Sequence, residues 1–164
     1  MKKILFFALM LCSAFSAFSQ EDDEKTLKFG LGGALSLPTG DLKESVDYGV
    51  GFEGMALYRL TPNVHLFSQV GVDVFRGPSY FGESANLLHI PIMAGARFNV
   101  KGFFVGGGAG YGLWSGSGES TRGFLYSPQI GYSFGKANIL AHYTSTSVTG
   151  GSLSYFGVKF FRMF

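Results

Sequence analysis

The sequence predicts an all-β chain: a closed, eight-stranded, antiparallel, up-and-down β-barrel that crosses a membrane with its strands. Three observations predict it. From Leu27 onward hydrophobicity repeats every second residue rather than every 3.6. The alternation falls into eight segments of 9 to 13 residues, and a tilted membrane strand needs ~9–11. The face opposite the apolar one is dominated by glycine.

The segments are Leu27–Leu37, Tyr48–Leu60, Val64–Arg76, Leu87–Phe98, Phe103–Trp114, Phe124–Phe134, Ala137–Ser145 and Leu153–Phe164. In the first, Leu27, Phe29, Leu31, Leu35 and Leu37 share one face, and Lys28, Gly30, Gly32, Ala34 and Ser36 the other. The second sets Tyr48, Val50, Phe52, Ala56, Tyr58 and Leu60 against Gly49, Gly51, Glu53, Met55, Leu57 and Arg59. The same division continues to the last, where Phe156, Val158, Phe160 and Phe164 oppose Tyr155, Gly157 and Lys159. Thr61-Pro62-Asn63, 99–102 and Gly135-Lys136 read as tight turns; 38–47, 77–86, 115–123 and 146–152 read as longer polar loops. Short turns at one end and longer loops at the other match the layout of outer-membrane barrels, with both termini at the short-turn end.

Period two alone does not say which face points out, since a soluble barrel turns its apolar face inward and a membrane barrel outward. Volume decides. An eight-stranded barrel has an interior just wide enough for modest side chains, and the face rich in Phe, Ile, Val and Tyr would overfill it. The other face carries Gly30, Gly32, Gly49, Gly51, Gly71, Gly95, Gly106, Gly108, Gly110, Gly112, Gly131 and Gly157, which leave room inside for Arg97, Gln129 or Trp114. The glycine face is therefore expected inside and the aliphatic face against lipid. Tyr58, Phe98, Phe103, Tyr132 and Phe134 at one end, and Tyr48, Phe124, Tyr126 and Tyr143 at the other, are placed as two aromatic girdles. A closed barrel leaves no unpaired strand edge in the hydrocarbon.

Charged residues are 15% of the chain, against roughly 25% in typical soluble domains. Residues 1–19 read as a secretory signal: Lys2 and Lys3, an apolar stretch from Ile4 to Leu11, and Ala17-Phe18-Ser19 as the cleavage site. Residues 20–26 then form a periplasmic N-terminal tail with the acidic run Glu21-Asp22-Asp23-Glu24, and 27–164 the barrel. The one cysteine, Cys12, falls inside the signal, so disulfides and thiol chemistry are not expected. Removing Lys2 and Lys3 from 13 basic residues leaves 11, equal to the 11 acidic ones. No basic surplus points to nucleic acid.

The chain resembles small eight-stranded outer-membrane proteins of the OmpX and OmpA-barrel type. It is especially similar to the "outer membrane protein β-barrel domain" family, on the segment Leu37-Pro38-Thr39-Gly40-Asp41 after the first strand and on a last strand ending in Phe164 with Phe156, Val158 and Phe160 at matching parity. The resemblance implies an assembly signal in those four residues, read by the outer-membrane assembly machinery after passage on periplasmic chaperones. It also implies a monomer embedded among outer-membrane lipid and lipopolysaccharide.

The inward face carries Glu53, Arg59, Gln69, Asp73, His89, Arg97, Gln129, His142 and Lys159, expected to satisfy one another as a plug because buried charges demand partners. A narrow channel for ions or small solutes through Glu53, Arg97 and Lys159 is the rival reading. His142-Tyr143-Thr144 resembles in part the His-x-Ser motif of outer-membrane lipid A deacylases, with Thr144 in the place of the serine; but the strand register turns His142 inward, toward Gln129, and away from lipid. The three histidines lie on different strands without ligand spacing, so no metal is expected. The Gly106–Gly112 run does not fit the dinucleotide pattern, and no helix follows it. No cofactor and no catalytic residue are assigned. The exposed loops, with Tyr80, Phe81, Glu119 and Arg122, are the expected contact surface. The expected role is structural or surface-interacting.

Overall fold

The computed structural model describes residues 27–80, 83–116 and 119–164, with side chains for all of these except 78–80, 83–85 and 119. The strands are β1 (Leu27–Thr39), β2 (Tyr48–Arg59), β3 (Val64–Tyr80), β4 (Glu83–Val100), β5 (Phe103–Gly116), β6 (Glu119–Phe134), β7 (Ala137–Val148) and β8 (Gly151–Met163). Each pairs antiparallel with its neighbour in sequence, and β8 returns to pair with β1, closing the barrel. Closure leaves every strand in the wall with a hydrogen-bonding neighbour on both sides, the condition for β-structure in a hydrocarbon medium.

The alternation in the sequence becomes alternation across the wall. Leu31, Leu35, Phe52, Val70, Ile92, Val105, Ile130, Phe156 and Phe160 stand outward and exposed, while Gly32, Ala34, Glu53, Gln69, Met93, Gln129 and Lys159 are buried inside. All twelve glycines named above have the inward parity. Phe98, Phe103, Tyr132 and Phe134 ring the short-turn end on the outside, with Tyr48, Phe124 and Tyr126 toward the other. Tyr132 and Phe134 stack, and Tyr143 lies against both Tyr126 and Phe156.

Short turns behave as expected. The β4–β5 hairpin turns on Lys101 (φ 49°) and Gly102 (φ 89°), the two positive φ values of a type I′ turn, whose twist matches that of the flanking strands. In the β2–β3 turn Val64 accepts from the Leu60 and Thr61 amides, and the Thr61 hydroxyl accepts from the Val64 amide at 2.9 Å.

The opposite end departs from expectation. In three of the four segments read as long loops the described residues are strand, apart from Thr149 and Gly150. β3 and β4 keep pairing up to Tyr80 and Glu83, β5 and β6 up to Gly116 and Glu119, and β7 and β8 up to Val148 and Gly151, leaving a turn at Thr149 and Gly150. Tyr80, Glu119 and Arg122 therefore sit in strands, not loops, and Phe81 lies outside the described residues. The reason is that a ladder needs backbone partners, not apolar side chains. Past the lipid belt neither face of the strand is selected for hydrophobicity, so the alternation stops while the hydrogen bonding goes on. The fourth segment is a loop of another kind: a 3-10 helix, Gly40–Glu44, turns inward and buries Leu42 and Val46 in the barrel mouth.

Tight packing across the wall makes a specific demand. A Cβ at Gly95 would run into the Gly107 carbonyl and the Gly108 Cα on β5, both backbone, whereas one at Gly33, on the outside, would meet only the Gly51 carbonyl at 3.7 Å. Gly95→Val is expected to remove the fast-migrating folded band on unheated gels, a cost above the ~1–3 kcal/mol of ordinary overpacking. Gly33→Val is expected to retain that band, because its side chain enters lipid.

Candidate functional site

The candidate site is the lumen, and it is filled. Along β3 the inward residues run Phe67, Gln69, Gly71, Asp73, Phe75; along β8, from the same end, Met163, Phe161, Lys159, Gly157, Tyr155. Both strands read apolar, polar, apolar. The lower apolar cluster includes Met55, Leu57, Phe67, Met93, Phe104, Leu140, Phe161 and Met163. The upper one is Leu42, Val46, Phe75, Trp114 and Tyr155, with Leu87 and Leu153 against it.

The polar layer between them holds an ion pair and a histidine–carboxylate contact. Lys159 Nζ stands 2.8 Å from Glu53 Oε1, both residues 1% exposed. Asp73 Oδ2 stands 3.3 Å from His89 Nδ1. The Tyr155 hydroxyl reaches both members of that second pair, at 3.3 Å from His89 Nδ1 and 3.5 Å from Asp73 Oδ2, and so joins β3, β4 and β8. The His89 ring stacks on Trp114 with centroids 4.0 Å apart. Gln129 donates to Gln69 Oε1 at 3.1 Å across the barrel. His142 Nδ1 and Ser127 Oγ both meet Thr144 Oγ1 at 2.9 Å.

Eight of the nine polar residues named from the sequence are thus buried within the barrel; Arg59 is not. It stands exposed at the short-turn rim, because it ends β2, where the wall opens to solvent. Nor do Glu53, Arg97 and Lys159 converge. Glu53 is paired with Gly71 on β3 and Arg97 with His65, positions separated by roughly 20 Å of strand, and the lower apolar cluster intervenes. Arg97 instead lays its guanidinium over the Phe104 ring, 4.3 Å from the centroid.

The sequence reading missed the apolar half of the plug. Phe67, Phe75, Phe104 and Phe161 point inward although the inner face was argued too narrow for such groups. The signal that would have found them is a cross-strand one. Phe161 faces Gly32, Phe75 faces Gly49, Phe67 faces Gly95 and Phe104 faces Gly131. Each large ring takes the volume that a glycine on the next strand leaves.

His142 is paired with Gln129 and turned inward at 3% exposure, and Thr144 is 0% exposed, so neither presents a nucleophile or base to lipid. Ser145, whose parity points the other way, is occupied by a 2.8 Å bond from the Ser154 hydroxyl. Among the described residues no cluster of His, Cys, Asp or Glu could hold a metal ion. Phe156, Val158, Phe160 and Phe164 project outward along the C-terminal strand.

A closed eight-stranded wall, apolar outside and filled inside, defines an integral membrane β-barrel whose lumen is a packed core. The chain belongs to the outer membrane protein beta-barrel domain family, whose model matches residues 5–161. Among solved structures it is similar to Ail, the attachment invasion locus protein of Yersinia pestis, at 14% identity and a TM-score of 0.63, covering 87% of this chain and 100% of that one. It is also similar to the N-terminal β-barrel domain of Pseudomonas aeruginosa OprF (13%, TM-score 0.55, 86% and 100% covered) and to Neisserial surface protein A (12%, TM-score 0.53, 87% and 100% covered). At these identities the likeness is one of fold. Comparison with curated proteins finds no match.

Removing one partner of a buried ion pair leaves an uncompensated charge in the barrel. Lys159→Met is expected to lower stability by about 3–5 kcal/mol, read as the urea midpoint of the folded band in lipid vesicles. The double variant Glu53→Gln, Lys159→Met is expected to recover much of that loss, so the cycle shows coupling between the two sites.

Proposed function

We propose that this protein is a non-catalytic outer-membrane anchor that presents a β-sheet projection at the cell surface. The observation that carries this reading is the height of β3 to β6. These strands have 17, 18, 14 and 16 residues, against 12 or 13 in β1, β2, β7 and β8. Their excess continues the wall beyond the membrane on one side only.

That projection has free edges. β2 accompanies β3 only as far as Arg76, and β7 accompanies β6 only as far as Phe124. Above those points Ser79–Tyr80, beyond a register irregularity at Gly77-Pro78, and Glu119–Gly123 have a ladder neighbour on one side alone, which is the geometry that accepts an added strand. Arg76, Arg122, Ser115, Ser120 and Thr121 are exposed there. Partners of this surface would be extended peptide segments or lipopolysaccharide. In this reading residues 1–19 direct export, the outward-facing phenyl groups of β8 and Phe164 engage the assembly machinery, the short turns face the periplasm, and the barrel works as a monomer.

The filled lumen supports a non-conducting barrel. The refolded protein is expected to give no stable openings in planar bilayers; steady conductance steps would refute the plug. A variant with 77–86 and 115–122 each replaced by a two-residue turn is expected to keep its heat-modifiable fold and to lose binding to lipopolysaccharide and to immobilised extracellular proteins. Unchanged binding would place the contact surface elsewhere.

A further inference from the structure

At the short-turn end the barrel opens into a vestibule of about 490 Å³ that the plug does not fill. Its charged lining is of one sign: Lys28, Arg59, Arg97 and Lys101, with His65 beside them and no Asp or Glu. Lys28 enters from β1, Arg59 from the end of β2, Arg97 from β4 and Lys101 from the β4–β5 turn. Arg97 is 4% exposed, its Nε has no hydrogen-bond partner, and both ring nitrogens of His65 are buried without one. Among the described residues the salt-bridge contacts of carboxylates are Glu53 with Lys159 and Asp73 with the His89 ring, so no carboxylate answers Arg97. A buried guanidinium held on a phenyl ring, with further cations around it, is a preorganised site for an anion: the desolvation of Arg97 is already met in the empty barrel, and an incoming carboxylate or phosphate gains a bidentate partner.

We propose that this vestibule is an anion-binding site and that its occupant is the chain's own acidic run, Glu21-Asp22-Asp23-Glu24. The run lies outside the described residues, and the case for it is tether, sign and number. Three residues separate Glu24 from Lys28, itself part of the vestibule lining. A chain spans at most ~3.3–3.6 Å per residue, so the run cannot leave the neighbourhood of the mouth. β1 starts at that same end, with Leu27 paired to Tyr58 one residue from the rim. The run brings four carboxylates, or three net negative charges with the adjoining Lys25, to a lining of four cations, and a tether this short holds them at an effective concentration on the order of millimolar. The acidic run would neutralise a cationic mouth that the rest of the barrel leaves uncompensated.

Spin labels test this on the refolded chain from Gln20 to Phe164, which has no cysteine of its own. One label goes on Asp23→Cys and the other on Asn63→Cys at the vestibule rim. A narrow distance distribution is expected at about 0.05 M salt, broadening at about 1 M, where the Debye length falls to ~3 Å. It is expected to broaden equally at low salt in Arg59→Gln, Lys101→Asn, a pair of exposed sites whose replacement is expected to leave the folded gel band in place. A distribution equally broad at both salt concentrations overturns the proposal. Pyrophosphate is the competing probe. A variant with all four acidic residues replaced by Asn or Gln is expected to bind it about tenfold more tightly than the parent, since the tethered competitor at its effective concentration is gone. Equal affinity, or no binding by either, overturns the assignment of the occupant. None of these readouts involves the projecting strands, so failure here leaves the surface reading standing.

Discussion

The packing inside this barrel depends on glycines placed beside large side chains on the neighbouring strands. The lumen of eight strands has a fixed width. Two bulky groups on one rung need room from a neighbouring rung, and two glycines on one rung supply it. Many rungs set a large group against a glycine: Phe161 against Gly32, Phe75 against Gly49, Glu53 against Gly71, Asp73 against Gly51, Arg97 against Gly106 and His142 against Gly157. Elsewhere large groups do share a rung, as Leu57 with Phe67 and His89 with Trp114, and the Gly95–Gly108 rung is filled by the Phe67 ring. The same rule serves rings, acids and bases alike, because what it conserves is volume. It also makes the register unforgiving, since a slip of one residue would exchange the filled and the empty positions and turn the apolar face inward.

From that constraint follows the division of the lumen into levels. Apolar groups at the two ends exclude water from the middle, so the charges there must find one another. Lys159 with Glu53, and Asp73 with His89 and Tyr155, do so from four different strands, and the contacts knit the wall across its width rather than along its ladder. Such pairs add little net stability over apolar groups of the same volume, but each makes the loss of its partner expensive. Arg97 escapes this rule by standing at the open end, where Phe104 supports it and the vestibule supplies room for an anion. The barrel thus has two chemically different mouths. One is closed by Leu42 and Val46 under a projecting sheet; the other is cationic.

The family and the fold say how this molecule sits in a membrane. The height of β3 to β6 and the charge at the short-turn end are properties of this chain, and they are where its particular role is argued.

By itself the sequence determined the barrel, its strand number, its inside and its outside, because lipid selects one face of every strand and the lumen limits the other. Strand for strand, the parity read from Leu27 to Phe164 is the parity observed. The sequence also placed Glu53, Asp73, His89, Gln129, His142 and Lys159 inside, since parity carries a residue's direction. It could not say which of them meet, because partners such as Gln69 and Gln129 are 60 residues apart and are joined only by closure and tilt. Nor could it find the strand beyond the membrane, where hydrogen bonds continue but hydrophobic selection ends, so that Tyr80, Glu119 and Arg122 read as loop. Only the tertiary structure decided that phenyl rings share the lumen with the charges, that Leu42 and Val46 turn back into the mouth, and that Arg97 stands apart from Glu53 and Lys159. Those are matters of volume and level around a closed wall, and a linear pattern of period two records neither.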